Sequence, residues 1–572
     1  MKILLVAINA KYIHSNLAVY SLKTYASQHG EEVELCEYTI NHRREDILKG
    51  IYKKKPDVVA FSTYIWNVHM VDGVAEELKK VLPEVIIWAG GPEVSYNPEE
   101  QLQRKPWLTG VMIGEGEATF YELCCHYQKK TMELSDIAGL CLREGRTKVR
   151  QPLDLSTIPF PYPDLGRFEN KIIYYESSRG CPFSCSYCLS SIERGLRFRD
   201  LALVKEELSQ FINSKIPLVK FIDRTFNASH SHAMAIWQFI YESDQGTTSF
   251  HFEISADLLK EEEIALIKKF RPGLIQFEIG VQTINEKTIE AIRRKMDLNK
   301  LKASVKAVSD AKNIHQHLDL IAGLPFEDIH SFQDSFDAVY QMKPEQLQLG
   351  FLKVLKGSYL YEKREDYNIL FTNASPFEVL STRWLSYEDV LELKKVEEMV
   401  EVYYNSGQFV SAISYLLHFF KRPYAFFKAL GDFYEEKGYL EISHNRLARY
   451  QILREFRSEI VQDDGDFFDE ILLYDLYLRE NLKSRPAFAK DESETKDERA
   501  RFYQEEELLR QYLPDYDAYQ NKQIRRMTHL EIFSFDMIST VASGRYVAGR
   551  TRILFDYKNR NPFTQDAHVL EV

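Results

Sequence analysis

Three cysteines stand close together in Ser178-Arg179-Gly180-Cys181-Pro182-Phe183-Ser184-Cys185-Ser186-Tyr187-Cys188, at spacings of four and three. A loop of that length can turn all three sulfurs towards one centre, and soft thiolates favour zinc or iron–sulfur clusters. Structural zinc normally takes four protein ligands in a closed tetrahedron. No fourth cysteine or well-placed histidine lies nearby; the next histidine is His230. Three ligands on a [4Fe–4S] cube would instead leave one iron open for a substrate or cofactor. The remaining thiols, Cys36, Cys124, Cys125 and Cys141, read as packing residues, the first in a strand and the adjacent pair in a helix.

The elements that must position this loop follow from hydrophobic periodicity. Over the first ~130 residues, apolar runs at Lys2–Asn9, Val33–Thr39, Asp57–Thr63, Val85–Gly91 and Gly110–Gly116 alternate with amphipathic stretches. One such stretch is Val68–Val81, with Val71, Val74, Leu78 and Val81 at helical spacing. Strands that are apolar throughout, separated by helices, indicate a parallel sheet covered on both faces. A proline-rich connector, Gln151–Asp164, reads as semi-extended. Six further strands are expected at Ile172–Gly180, Val219–Asn227, Phe250–Asp257, Leu274–Thr283, Gln316–Pro325 and Gln346–Leu355, with helices between them. The cysteine loop directly follows the first of these strands. Six successive strand–helix units fit an incomplete barrel better than an open sheet.

From about Asn373 the pattern turns helical. Ser386 and Asp389 form a capping pair, Leu393, Val396, Val400 and Tyr403 an apolar face, and Gly407 a stop. Helices are expected over Val410–Phe420 and Phe467–Leu482, a solvated helix or loop over Lys490–Arg501, and late strands at Ile532–Phe535 and Ile553–Tyr557. The fold class is therefore α/β. It comprises a doubly wound parallel-sheet domain at 1–140, a linker at 141–170, a partial (β/α)6 TIM-like barrel at 171–372 and a mainly helical domain at 373–572.

Cys181-x-x-x-Cys185-x-Tyr187-Cys188 resembles the signature of the radical S-adenosylmethionine enzymes, including the aromatic residue before the third cysteine. The resemblance implies that Cys181, Cys185 and Cys188 hold a [4Fe–4S] cluster whose open iron binds S-adenosylmethionine, cleaved there to methionine and a 5′-deoxyadenosyl radical. It also places Tyr187 beside the cluster and adenine. It assigns Asp223, ending the second unit, to the substrate or methionine moiety. Glu278 and Gln282, ending the fourth, go to the ribose, and Gly323 and Pro325, ending the fifth, to the adenine.

The leading domain has no Gly-x-Gly-x-x-Gly or P-loop after its first strand. It resembles instead the cobalamin-binding domain that precedes the barrel in one subgroup of the same enzymes. Four segments carry the likeness: Tyr12 to Leu17 with Asn16, Ser62-Thr63-Tyr64-Ile65-Trp66-Asn67, Gly90-Gly91-Pro92-Glu93 and Gly114-Glu115-Gly116-Glu117. All follow expected strands and so meet at the carboxyl edge, where such sheets bind ligands. Tyr12, Asn16, Ser62, Tyr64, Gly90, Gly91, Gly114, Glu115 and Gly116 are the implied cobalamin residues. The Asp-x-His-x-x-Gly signature is absent: His14 has no Asp two residues before it. That departure implies base-off cobalamin without a protein histidine ligand.

The implied activity is methyl transfer to an unactivated carbon. Cobalamin-assisted cyclisation, rearrangement or oxidation is the rival within enzymes, and a corrinoid or redox sensor the rival from another class. A methylthiotransferase lacks support, because there is no second cysteine trio. The implied partners are a substrate, small or of unknown kind, and a reductant such as flavodoxin or ferredoxin. With 73 Lys+Arg against 85 Asp+Glu, the net charge of −12 excludes a broad nucleic-acid footprint. The apolar opening Ile3–Ile8 is shorter than a signal-peptide core, and no run approaches the ~20 apolar residues of a membrane span. Together with an odd seven cysteines, this leads to the expectation of a cytoplasmic chain with reduced thiols. Residues 373–572 imply no activity.

Overall fold

The structure, a computed structural model, describes all 572 residues except 193–194, 462–466, 492 and 494. The described chain forms two compact units. The first comprises Met1–Ile314, Ile321–Asp328 and Gly350–Tyr387; the second comprises His315–Leu320, Ile329–Leu349 and Glu388–Val572.

The first unit opens with a seven-stranded sheet of order β2-β1-β3-β4-β5-β6-β7. Its strands are β1 (Ile3–Asn9), β2 (Glu34–Thr39), β3 (Val58–Ser62), β4 (Ile86–Gly90), β5 (Gly110–Met112), β6 (Leu140–Leu142) and β7 (Gly145–Arg146). The first five pair in parallel and the last two antiparallel. Every residue of β1 is buried, because its two faces feed two cores: Leu4, Val6 and Ile8 pack on one side, Ile3 and Leu5 on the other. The order of strands reverses between β1 and β3, so the carboxyl edge there forms a crevice. The helix Val68–Val81 packs Val71, Val74 and Leu78 inward as expected, whereas Val81, in the last turn beside Lys79 and Lys80, is exposed.

Two expectations are corrected. The fifth strand stops at Met112, so Ile113–Gly116 is an edge loop. The sheet also continues through β6 and β7 into the stretch expected as linker. The proline-rich segment is a packed strap: Leu155 and Ile158 pack with Tyr25 and Ala118, and the buried Tyr162 hydroxyl donates to Tyr174 O at 2.6 Å.

Six strands then follow in the order β15-β14-β13-β12-β11-β8, so that sequence neighbours are spatial neighbours, as in a wound barrel. They are β8 (Ile173–Tyr175), β11 (Leu218–Phe221), β12 (Ser249–Ile254), β13 (Ile275–Gln282), β14 (His315–Ala322) and β15 (Gln346–Phe351). Between β8 and β11 a clip of β9 (Ser178–Arg179) and β10 (Arg197–Phe198) pairs antiparallel. Strand alternation sends Phe250, Phe252 and Ile254 into the apolar layer and leaves His251 and Glu253 on the opposite face. Helices start where capping chemistry puts them: Asp200 accepts from the Ala202 and Leu203 amides, and Asp297 from those of Asn299 and Lys300.

In the second unit the expected face Leu393, Val396, Val400 and Tyr403 is buried, and Gly407 takes the left-handed conformation after it. Helices Val410–Leu416 and Phe468–Arg479 match their periodicity. The late strands, Thr528–Phe533 and Thr551–Asp556, are joined by a third, His568–Glu571, into an antiparallel sheet. Among the described residues no helix is long and apolar enough to cross a membrane.

Candidate functional site

The cysteine loop leaves β9 through Gly180, whose φ of +93° favours glycine. Its backbone is pinned on both sides: the Ser186 amide donates to Ile292 O at 2.8 Å, and Ser186 O accepts from the Leu360 amide at 2.8 Å. Cys181 and Cys185 are buried and Cys188 is partly so. Cys181 Sγ lies 3.6 Å from Thr225 Oγ1. Burial pushes the Cys185 thiol up, and the Arg294 guanidinium beside it opposes the shift. Arg294 reaches Cys185 Sγ at 4.0 Å and the Tyr187 hydroxyl at 3.4 Å, and bonds Gly280 O with its other terminal nitrogen. Among the described residues, no three Cys, His, Asp or Glu side chains converge on a point that a single ion could occupy.

Behind the loop, Asp223 is 1% exposed and fully committed. One oxygen accepts from the Ser177 and Ser178 hydroxyls at 2.7 and 2.6 Å, the other from the Ser177 amide at 3.0 Å. Ser177 Oγ also lies 3.0 Å from His232 Nε2, whose pKa burial lowers to about 4. Ser177, Asp223 and His232 are sealed from solvent, so this grouping braces the corner before the cysteine loop and is no nucleophilic triad. Asp223, expected beside a ligand, is found holding this corner.

Glu278 points to the same face as Lys220 and His251, at 2.9 and 3.0 Å. Burial would raise its pKa, but the His251 hydrogen bond and the Lys220 charge hold it at about 2. On the neighbouring strand β12, in register with Glu278, Glu253 is pushed up to about 7 by burial, Arg224 opposing and Glu278 adding. At the end of β13, Gln282 has a φ of +69°, which only surrounding structure can enforce on a non-glycine residue. Its Oε1 is buried without a hydrogen-bond partner, and so is Arg294 Nε. Gly323 turns at φ +90°, where a Cβ would lie 2.8 Å from Val379, and Pro325 is buried beside it.

At the carboxyl edge of the first sheet the nine residues part company. Asn16 is a helix cap: Oδ1 accepts from the Val19 amide at 3.4 Å and Nδ2 donates to Asn9 and to the buried Ser62 hydroxyl. Glu115 is spent on Arg197, Arg179 and the Leu153 amide. These three residues therefore shape the edge from within. Tyr12 is 70% exposed, and Tyr64 stacks on Trp66 with ring centres 4.4 Å apart. Burial raises Tyr64 to about 12, with Arg224 opposing and Glu176 adding, which places its loop beside the barrel mouth. Gly90 O accepts from the Thr63 amide and hydroxyl at 2.8 and 2.7 Å, and a Cβ on Gly91 would run into Thr63 backbone. Gly114 (φ +77°) faces open space, and a Cβ on Gly116 would come within 2.9 Å of Leu22. His14 lies 2.8 Å from the Tyr174 hydroxyl, and its backbone bridges to Ile172.

Residues 3–124 match the B12 binding domain family and residues 175–339 the radical SAM superfamily. The chain carries a B12 binding domain followed by a radical SAM domain. Residues 365–555 match a third family, described as a protein of unknown function, DUF4080. The cobalamin-dependent radical SAM methyltransferase TokK of Streptomyces tokunonensis is 26% identical over 359 residues, 57% of this chain and 51% of that protein. An uncharacterized methyltransferase of Pyrococcus horikoshii, PH0819, is 26% identical over 412 residues, 69% and 84% of the respective chains. The chain thus spans about half the length of TokK. The structure of TsrM from Kitasatospora setae, a radical S-adenosylmethionine methyltransferase with cobalamin and a [4Fe–4S] cluster bound, superposes with a TM-score of 0.55. It has 16% identity and covers 65% of this chain and 76% of that one, which shows a shared fold.

Within the radical SAM domain the residues present fit a cluster and a polar ligand beside it: three thiols on a pinned loop, an uncommitted Gln282 oxygen and an uncommitted Arg294 nitrogen. In the B12 binding domain, Gly114 faces open space at the edge, while the missing Cβ of Gly91 lets the Thr63 backbone pack against it. Sequence reasoning missed Arg294, Lys220, His251, Glu253 and Arg179. The signal for three of them was present as ionisable residues interrupting apolar strands at a period of two. Arg294 lies in a loop and carries no such signal.

Proposed function

We propose that this chain is a cobalamin-dependent radical S-adenosylmethionine methyltransferase acting on a small molecule, with a flavodoxin- or ferredoxin-like reductant. The observation that carries the reading is the pinned Cys181–Cys185–Cys188 loop, in one compact unit with the carboxyl edge of the first sheet. The names of TokK and PH0819 support methyl transfer over a sensor role. Bound there, cluster and S-adenosylmethionine supply one-electron radical chemistry and the corrinoid a methyl group.

The protein's own part is placement. Cys181, Cys185 and Cys188 hold the cluster, while Gln282 offers an acceptor to the ribose and Arg294 a donor to S-adenosylmethionine. Tyr187, braced by Arg294, walls the cluster. Glu278, kept ionised between Lys220 and His251, accepts hydrogen bonds from hydroxyls at the mouth, and the Gly323–Pro325 turn gives backbone groups to a planar base. Gly90, Gly91, Gly114 and Gly116 let the sheet edge approach the corrin, with Tyr12 and Tyr64 as its aromatic borders. The reading divides the chain near residues 146, 170 and 372. Anaerobic reconstitution with iron, sulfide and hydroxocobalamin, followed by dithionite and S-adenosylmethionine, tests it. About four irons per chain, bound corrin and consumption of S-adenosylmethionine are expected; zinc in the cysteine loop, or no consumption, would discard it.

A further inference from the structure

The cysteine loop is closed at its base by the β9–β10 clip, in which Arg179 lies directly opposite Arg197. Like charges facing each other across a strand pair repel, so the clip closes only with a counter-charge between them. That charge comes from the other domain. Arg179 Nη1 lies 3.5 Å from Glu115 Oε2, and Arg197 is ion-paired with Glu115 Oε1. Glu115 sits in Gly114-Glu115-Gly116-Glu117, one of the loops on the carboxyl edge of the first sheet. Glu117 takes Arg179 as well, and Ser21 Oγ holds it from behind at 3.0 Å. Burial would raise the Glu117 carboxyl, but Arg179 holds it below the usual range. The side chains of Glu115 and Glu117 are 10% and 6% exposed, so these pairs are little screened by solvent. Two guanidiniums thus meet two carboxylates. The third carboxylate in reach, Glu176, takes Arg179 Nε at 2.8 Å and is raised to about 7 by burial, which limits the surplus negative charge.

We infer that Glu115 is a positioning residue that couples the two cofactor sites: ordering the cysteine loop around a cluster orders the sheet edge that meets the corrin, and the reverse. This rests on the functional reading above, which places cluster and corrin at those two loops. A ligand that favours the arrangement in which Glu115 bridges both arginines favours it for the other site as well, so the coupling is positive. It must also be reciprocal.

The test uses the full chain and two ligands measured separately. Hydroxocobalamin affinity is determined under anaerobic conditions for iron-free protein and for protein loaded with iron and sulfide. Wild type is expected to bind at least about fivefold more tightly when loaded, the lower end of ordinary coupling. Glu115→Gln is expected to bring that ratio to about one, and Glu115→Asp to restore part of it. By reciprocity, hydroxocobalamin should slow chelator removal of iron in wild type and not in Glu115→Gln. Equal affinity in the two wild-type states would overturn the coupling. Absence of any hydroxocobalamin binding by wild type would overturn the functional reading instead. Should Glu115→Gln fail to fold by circular dichroism, Arg197→Gln removes the more exposed arm of the same contact and must likewise collapse the ratio.

Discussion

Gly91 packs against the backbone of Thr63 so closely that a Cβ on it would sit 3.2 Å from the Thr63 amide nitrogen and nearer still to the carbonyl oxygen. Two edge loops are thereby locked face to face, and the φ of +110° at Gly91 adds a second reason for glycine. Gly91→Ala is expected to destabilise the protein by about 1–3 kcal/mol, since rigid backbone must move. Gly114→Ala, with open space around its Cβ and only a positive φ against it, is expected to cost about 1 kcal/mol. Thermal unfolding of the two variants side by side checks the ranking; equal shifts would count against it.

Replacing any one of Cys181, Cys185 or Cys188 by Ala is expected to cut reconstituted iron from about four per chain to below one. The same change at Cys36, Cys124 or Cys141 should leave iron unaltered. These three lie in β2, in the helix Glu117–Cys124 and in β6, outside the cysteine loop. Iron and sulfide counting on the six variants decides; loss of iron from a Cys36 or Cys141 variant would point to a second cluster.

Asp223→Ala leaves the Ser177 amide and the Ser177 and Ser178 hydroxyls without their acceptor inside a sealed corner. A cost of about 1–3 kcal/mol is expected for the unpaired buried groups. The cysteine loop begins two residues beyond Ser178, so iron retention against a chelator should fall as well. A variant that unfolds earlier yet keeps iron as wild type does would show that the corner does not hold the loop.

Glu253 carries a pH signature of opposite sign to that of Glu278. Its folded pKa of about 7 lies above the ordinary carboxylate value. The folded state therefore binds its proton more tightly, and stability falls as pH rises from about 4.5 through 7. Glu253→Gln mimics the protonated form. It is expected to match wild type at pH 5 and to exceed it at pH 8, by on the order of 1–3 kcal/mol. For Glu278, held at about 2, stability is full above about 4.5 and is lost only as pH falls towards 2. Unfolding of the Glu253→Gln variant and of wild type at the two pH values tests the first sign; no gain at pH 8 would remove it.

Hydrophobic periodicity and three close thiols are enough to place the elements and the cysteine loop. Apolar runs buried on both faces, as in β1, and a 3.6-residue stripe such as Val71, Val74 and Leu78 leave one consistent α/β reading, because burial rewards only those periods. Three thiols at spacings of four and three likewise announce their chemistry locally. The division of labour among polar residues was not legible. Asp223, Glu115 and Glu278 look alike in a string of letters: an acid in or just after an apolar run. Only the tertiary structure showed that the first braces Ser177, the second joins Arg179 to Arg197, and the third lies between Lys220 and His251. A carboxylate's role is set by which cations and amides surround it and by how far water is excluded. Those neighbours come from residues 27 to 82 positions away, so spacing along the chain cannot report them.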